Sequence, residues 1–183
     1  MPRIVLLAAA LVLTGCASMT PVDTDALAEV QAFADAIARE YSFPAVQVAV
    51  REGSSTWGRI PLVGISHAVL VAPLPIRDAQ VARLLAFWVI KPPEPRTEAQ
   101  EEEINRSLYP ARNVVAVDIL TRVKGVPEPI AAATVHVILA GMARGVAEKE
   151  IAPTLRAPHP CAQLLAFIAR FPNYQLNRTP WCS

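Results

Sequence analysis

Soon after residue 24, apolar side chains recur at helical spacing: Leu27, Val30, Phe33, Ala34 and Ile37 share one face. Asp23 and Thr24 stand before them as N-caps, so a helix is expected to run to about Tyr41, with Pro44 as its stop. The rhythm then changes to alternation. Val46, Val48 and Val50 within Ala45–Arg51 read as a strand, and Gly53-Ser54-Ser55 as a turn. Trp57 to Val63 and Ala68 to Val71 read as two more strands, paired as a hairpin around Gly64-Ile65-Ser66-His67. Pro73 and Pro75 break this sheet.

Helical periods dominate the rest. Asp78 caps a helix to about Ile90 that is apolar nearly all round, through Val81, Leu84, Leu85, Phe87, Trp88 and Ile90, and such a helix is buried. Lys91-Pro92-Pro93-Glu94-Pro95 ends it as an internal loop. Thr97 caps the next helix, where Glu98 and Glu101 to Glu103 lie near the positive end on a solvated face. Pro110 is expected to start a separate helix, through Val114, Val117 and Leu120 to Gly125. Pro129 to Ala143 is a further apolar helix, followed by a charged turn at Glu148 to Glu150. A last helix spans about Pro160 to Arg170, and the tail Phe171 to Ser183 is rich in Pro, Asn and aromatics. The order is helix, small sheet, buried helix, then helices to the end. The expected fold class is α+β, a predominantly helical single domain over residues 25–183 with a small early sheet.

The N-terminus follows a different logic. Arg3 is a lone positive charge, Ile4 to Leu13 is an apolar run, and Leu13-Thr14-Gly15-Cys16 matches the lipobox of bacterial lipoproteins. The run is too short to span a bilayer, which takes about 20 residues. Small residues at 14 and 15 fit a narrow protease site, and the Cys16 thiol accepts a diacylglycerol. Residues 1–15 are therefore expected to be a removed signal peptide and residues 16–24 a lipidated tether. The alternative is an ordinary signal peptide with an incidental cysteine. Ala17 rather than Asp after the cysteine implies sorting to the outer membrane, on its periplasmic face. The membrane is then a partner through the covalent lipid on Cys16, and each buried CH₂ of that lipid contributes about 0.8 kcal/mol.

The 183 residues carry 17 Lys and Arg against 16 Asp and Glu. Loss of Arg3 with the leader leaves the signs in balance, without the basic stripe that nucleic acid requires. Of the 3 cysteines, Cys161 and Cys182 remain once Cys16 carries lipid. In an oxidising compartment an even pair suggests a disulfide that would pin the tail onto the body; two buried free thiols are the alternative. Such a bridge closes a loop of about 22 residues, worth roughly 3 kcal/mol by chain entropy.

The order of elements, with several local strings, resembles the CAAX prenyl protease-like family of HExxH zinc peptidases, from about Asp25 to Arg170. Ile65-Ser66-His67-Ala68-Val69-Leu70 is similar to the family's strand before the active-site helix. Ala79 to Lys91 is similar to that helix. Ala116-Val117-Asp118-Ile119-Leu120 and Gly125-Val126-Pro127 are similar to the two ends of a later run, and His159-Pro160 to a His-Pro before the last helix. The family binds zinc through two histidines one helical turn apart, with a glutamate between them that activates water. Aligned on this chain, the histidines fall on Phe87 and Lys91, the base on Trp88, the third ligand on Tyr109, and a further acid on Asn113. Phe cannot bind zinc, a lysine ammonium repels it, and neutral Tyr is a poor ligand. The resemblance thus implies a zincin-like fold with a lost metal site: no catalytic residues, no metal, no cofactor beyond the lipid. Pro110 is also expected to break the helix where the family continues it.

Other chemistry is sparse. His67, His136 and His159 have no partner at zinc-motif spacing, and Gly64-Ile65-Ser66-His67-Ala68 misses the last glycine of a nucleophile elbow. Asp118 and Glu128 are isolated carboxylates without a defined partner. No P-loop or dinucleotide fingerprint is present. The expected function is a lipid-anchored, non-catalytic envelope protein acting in binding or scaffolding. An extended peptide or envelope protein would add to a sheet edge, with Phe87, Trp88 and Lys91 lining or plugging the former site. The alternatives are a structural outer-membrane lipoprotein unrelated to peptidases, or an enzyme of unrecognised type.

Overall fold

In the computed structural model, residues 22–51, 56–57, 62–91, 97–149, 159–177, 179–180 and 182 are described. The signal, the lipobox, most of the tether, the expected turn at 53–55 and the loop at 92–95 lie outside them. The fold class is α+β, predominantly helical, with a small sheet early in the chain.

Helix α1 (Thr24–Glu40) begins as its sequence predicts: Asp23 Oδ1 accepts from the amides of Asp25 and Ala26 at 3.1 and 2.9 Å. Its Val30, Phe33, Ala34 and Ile37 are buried, as the spacing requires, and Ala38 joins them. Strand β1 (Gln47–Arg51) follows, then β2 (Thr56–Trp57) and β3 (Leu62–Ser66), in the sheet order β1-β3-β2. β3 is parallel to β1, from Gln47↔Leu62 to Arg51↔Ser66, and antiparallel to β2.

The expected hairpin of Trp57–Val63 with Ala68–Val71 does not form. Residues His67–Leu70 are a short helix, α2, because Ser66 is an N-cap whose Oγ accepts from the Val69 amide at 3.3 Å. The apolar run at 68–71 fits a strand and a buried helical turn equally well, and the cap decides.

Helix α3 (Leu74–Ile90) starts a turn earlier than Asp78 suggests. Pro73 and Pro75 bracket its first residue, and a fixed φ with no donor suits the first turn, where amides lack partners anyway. The prolines that end the sheet therefore also open the helix. Asp78 is not the cap; its carboxylate takes Lys124 at 2.9 Å.

Helix α4 is one continuous element of 27 residues, Glu98–Lys124, with Pro110 inside it. The two helices expected on either side of Pro110 are joined, and the proline does not break the chain there. Pro110 removes one ladder bond and costs about 3 kcal/mol. Burial of Leu108, Arg112, Asn113, Ala116, Val117, Ile119 and Leu120 on both sides of it offsets that cost. Thr97 caps the start as expected, with Oγ1 accepting from the Gln100 amide at 3.2 Å. Gly125 ends the helix at φ 68°, and the amides of Gly125 and Val126 close onto the carbonyls of Thr121 and Leu120.

Helix α5 (Glu128–Lys149) outruns the expected end at Ala143 and absorbs the start of the charged turn; residue 150 lies outside the described residues. Helix α6 (Pro160–Arg170) lies where its period places it. One core gathers α1, the sheet, α3, α4, α5 and α6, with Ile37, Ile65, Leu85, Ile119, Leu139, Leu164 and Phe167 all sealed from solvent. Among the described residues no helix is long and apolar enough to cross a membrane.

Candidate functional site

The residues aligned with the zinc site do not assemble one. Phe87 and Trp88 lie in the last turn of α3, and their rings meet edge to face at 6.3 Å. Trp88 also stacks on Phe43 at 6.4 Å, and its indole N–H is buried without a partner. Lys91 is not on the helix at all. It is the exposed C-cap, left-handed at φ 50°, its amide closing onto the Phe87 carbonyl at 3.1 Å. Tyr109, on α4, gives its ring face to the Arg112 guanidinium at 5.0 Å. Among the described residues no three His, Cys, Asp or Glu side chains gather as a metal site.

The histidines are dispersed, and His136 and His159 hold backbone. His67 opens α2, and His136 Nε2 lies 2.8 Å from the Asn177 carbonyl, fastening the tail to α5. His159 is the N-cap of α6, its Nδ1 accepting from the Cys161 amide at 3.2 Å, with Pro160 at the first helical position. The His-Pro string therefore has a local explanation as a helix start.

One edge of the sheet, at β1, is met by a side chain of α1. The Gln31 amide of α1 donates to the Val46 carbonyl and accepts from the Val48 amide, both at 2.8 Å. It thus supplies the donor–acceptor pair that an added strand would bring to β1 at that point.

The seam between α3 and α4 has an unusual content. Arg83 and Arg112 are both buried, at 6% and 7% exposure, and Asn113 is at 1%. Arg83 Nε donates to Asn113 Oδ1 at 2.9 Å and Arg83 Nη1 to Gln80 Oε1 at 3.0 Å. Arg112 Nε donates to the Arg83 carbonyl at 3.0 Å. Burial, and then the Arg112 charge, bring the Arg83 guanidinium down to about 10. Burial lowers Arg112 as well. The ion pairs Arg77–Glu29, Arg122–Asp118 and Lys124–Asp78 lie elsewhere, and among the described residues no carboxylate pairs with Arg83 or Arg112.

The opposite flank of α4 lines a groove of about 490 Å³. Val114, Val115, Asp118 and Thr121 form its floor, Glu128 at the start of α5 one end, and Arg170 to Tyr174 its far wall. Asp118, which seems isolated in sequence, accepts from the Tyr41 hydroxyl and from Arg122 Nε, each at 2.8 Å. Burial and the Asp118 carboxylate push the Tyr41 phenol up. Tyr174 is raised too, by desolvation and by Glu128 beside it. The far wall is built on rings: Phe171 packs on Phe167 at 4.8 Å and stacks on Tyr174 at 5.7 Å. Its chain is stapled back to α6, where Cys161 and Cys182 are joined with S–S 2.07 Å and Cα atoms 5.2 Å apart.

The chain matches no protein-family model, no curated protein and no solved structure. What can be said of its chemistry comes from these two flanks of α4. The sequence pairs the two cysteines correctly. It misses the convergence of Asp118, Glu128 and Arg170 on one groove, for which no local signal exists. It also misses Arg83 and Arg112, although an arginine on an otherwise apolar helix was a visible signal.

Proposed function

We propose that this chain is a lipid-anchored, non-catalytic binding protein of the cell envelope, and that its ligand lies in the groove between α4 and residues 170–174. The observation that carries the reading is the stapled wall. The Cys161–Cys182 bridge belongs to an oxidising compartment, and it holds in place the segment that closes one side of the groove. Leu13-Thr14-Gly15-Cys16 supplies the route to that compartment and the lipid, with the periplasmic face of the outer membrane as destination. The lining suits an extended ligand with both apolar and polar contacts: valines below, Asp118 and Glu128 on one side, Arg170 and Asn173 on the other. The carboxylate of Asp118 is committed to Tyr41 and Arg122, which favours a structural over an acid–base role for it. A zincin-like ancestry would explain a groove without catalysis. It is supported only by the one-turn spacing of positions 87 and 91 and by Tyr109 on the neighbouring helix, and Lys91 lies beyond the helix end that the motif would need.

The test is photo-crosslinking in intact cells, with a benzophenone side chain placed at Asn173 in the groove or at Ile130 on the outer face of α5. Discrete adducts from position 173 and none from 130 support the groove. Equal patterns from both sites refute it. In parallel, Cys16→Ser should move the protein out of the membrane fraction, and a variant that still partitions there refutes the anchor.

A further inference from the structure

We infer that the α3–α4 seam is an anion-binding site that takes a compact oxyanion, a phosphate or carboxylate group, between Arg83 and Arg112. Among the described residues no carboxylate pairs with these two buried guanidiniums, and the interior disfavours an isolated charge. Both Nε groups are engaged, by Asn113 Oδ1 and the Arg83 carbonyl, Arg83 Nη1 is held by Gln80 Oε1, and Tyr109 lies on the Arg112 guanidinium, so the two forks are held in place and Arg83 Nη2 with the outer edge of the Arg112 fork is what is offered to a ligand. A third donor points the same way. Asn113 Nδ2 is buried and has no partner. Its orientation is fixed, since the Oδ1 must face Arg83 Nε; flipping the amide would set donor against donor. Arginines fixed this way match the planar or tetrahedral oxygens of carboxylate and phosphate. The site is on the opposite flank of α4 from the groove, so it stands or falls apart from that reading.

The experiment is thermal unfolding of the full chain with inorganic phosphate or succinate against chloride at matched ionic strength. Millimolar additions avoid the general stabilisation that concentrated phosphate gives any protein. One of the two anions should raise the midpoint saturably, by about 5 °C or more at one hundred times Kd. The arm that responds identifies the group. Asn113→Asp is the decisive variant, because it places a carboxylate beside the buried Arg83 guanidinium. It should melt above the parent in chloride and lose the anion response. An anion response equal in parent and variant, or absent from the parent, overturns the site. Should Asn113→Asp not fold, the Nε–Hε resonances of Arg83 and Arg112 in the parent decide. Saturable shifts with phosphate or succinate support the site, and resonances that do not move overturn it.

Discussion

Helix α4 presents two flanks that solve opposite problems. Toward α3 it buries cations: Arg112 sits 7% exposed and reaches the Arg83 carbonyl, and Asn113 holds Arg83 Nε. Toward α5 and the tail it sets carboxylates at an open groove: Asp118 lines it directly and Glu128 closes one end. The same helix thus buries the Arg112 guanidinium on one flank and turns the Asp118 carboxylate, paired with Arg122, toward the groove on the other. The buried flank relies on fixed donors and tight packing. The open flank relies on a wall that belongs to a different part of the chain. One should respond to anions, and the other to whatever loosens the tail.

The largest expected effect divides the flanks directly. Reduction, or Cys182→Ser, should cost about 3 kcal/mol of stability, as expected for a bridge closing a loop of this length. Residues 171–177 should lose amide protection while the α3–α4 seam keeps its own. Thermal unfolding with hydrogen exchange reads both. Equal loss of protection on the two flanks would show that the groove wall is not a separable unit.

Tyr41→Phe is a smaller change on the groove side. It removes the hydrogen bond to Asp118 and should cost about 1 kcal/mol near neutral pH. Its signature is in alkali. The folded phenol is raised above its unfolded value, so its contribution is present below about pH 10 and is lost as pH rises further, when the unfolded phenol ionises first. Urea midpoints from pH 8 to 11 should fall more steeply in the parent than in the variant. Parallel curves would refute the coupling.

The smallest effect lies at the end of the buried flank. Lys91 holds φ 50°, which a side chain resists and glycine accepts. Lys91→Gly should therefore gain about 1 kcal/mol in urea unfolding. A loss instead would mean that the lysine side chain holds something at that end.

Much of the helical frame was legible. Asp23, Thr97 and Gly125 mark helix ends by chemistry that acts within one turn, and each does so in the structure. The helix at 74–90 reads as buried because its apolar residues leave no polar face, and Val81, Leu84 and Leu85 are indeed inside. The errors have equally local causes. Residues 68–71 form one helical turn because a single serine hydroxyl caps it. Pro110 lies within a helix because packing on both sides outweighs one missing bond.

The sequence by itself determined the helix ends marked by Asp23, Thr97 and Gly125, which faces of the helices are apolar, and that Cys161 and Cys182 are a candidate pair. Those properties depend on neighbours within a few residues. Only the tertiary structure decided that Asp118, Glu128 and Arg170 line one groove, that Gln31 takes the edge of β1, and that Arg83 and Arg112 meet in the interior. Each of these depends on side chains brought together from distant turns, and burial, the quantity that gives a charge its meaning, is set by those neighbours and not by the residue that carries it.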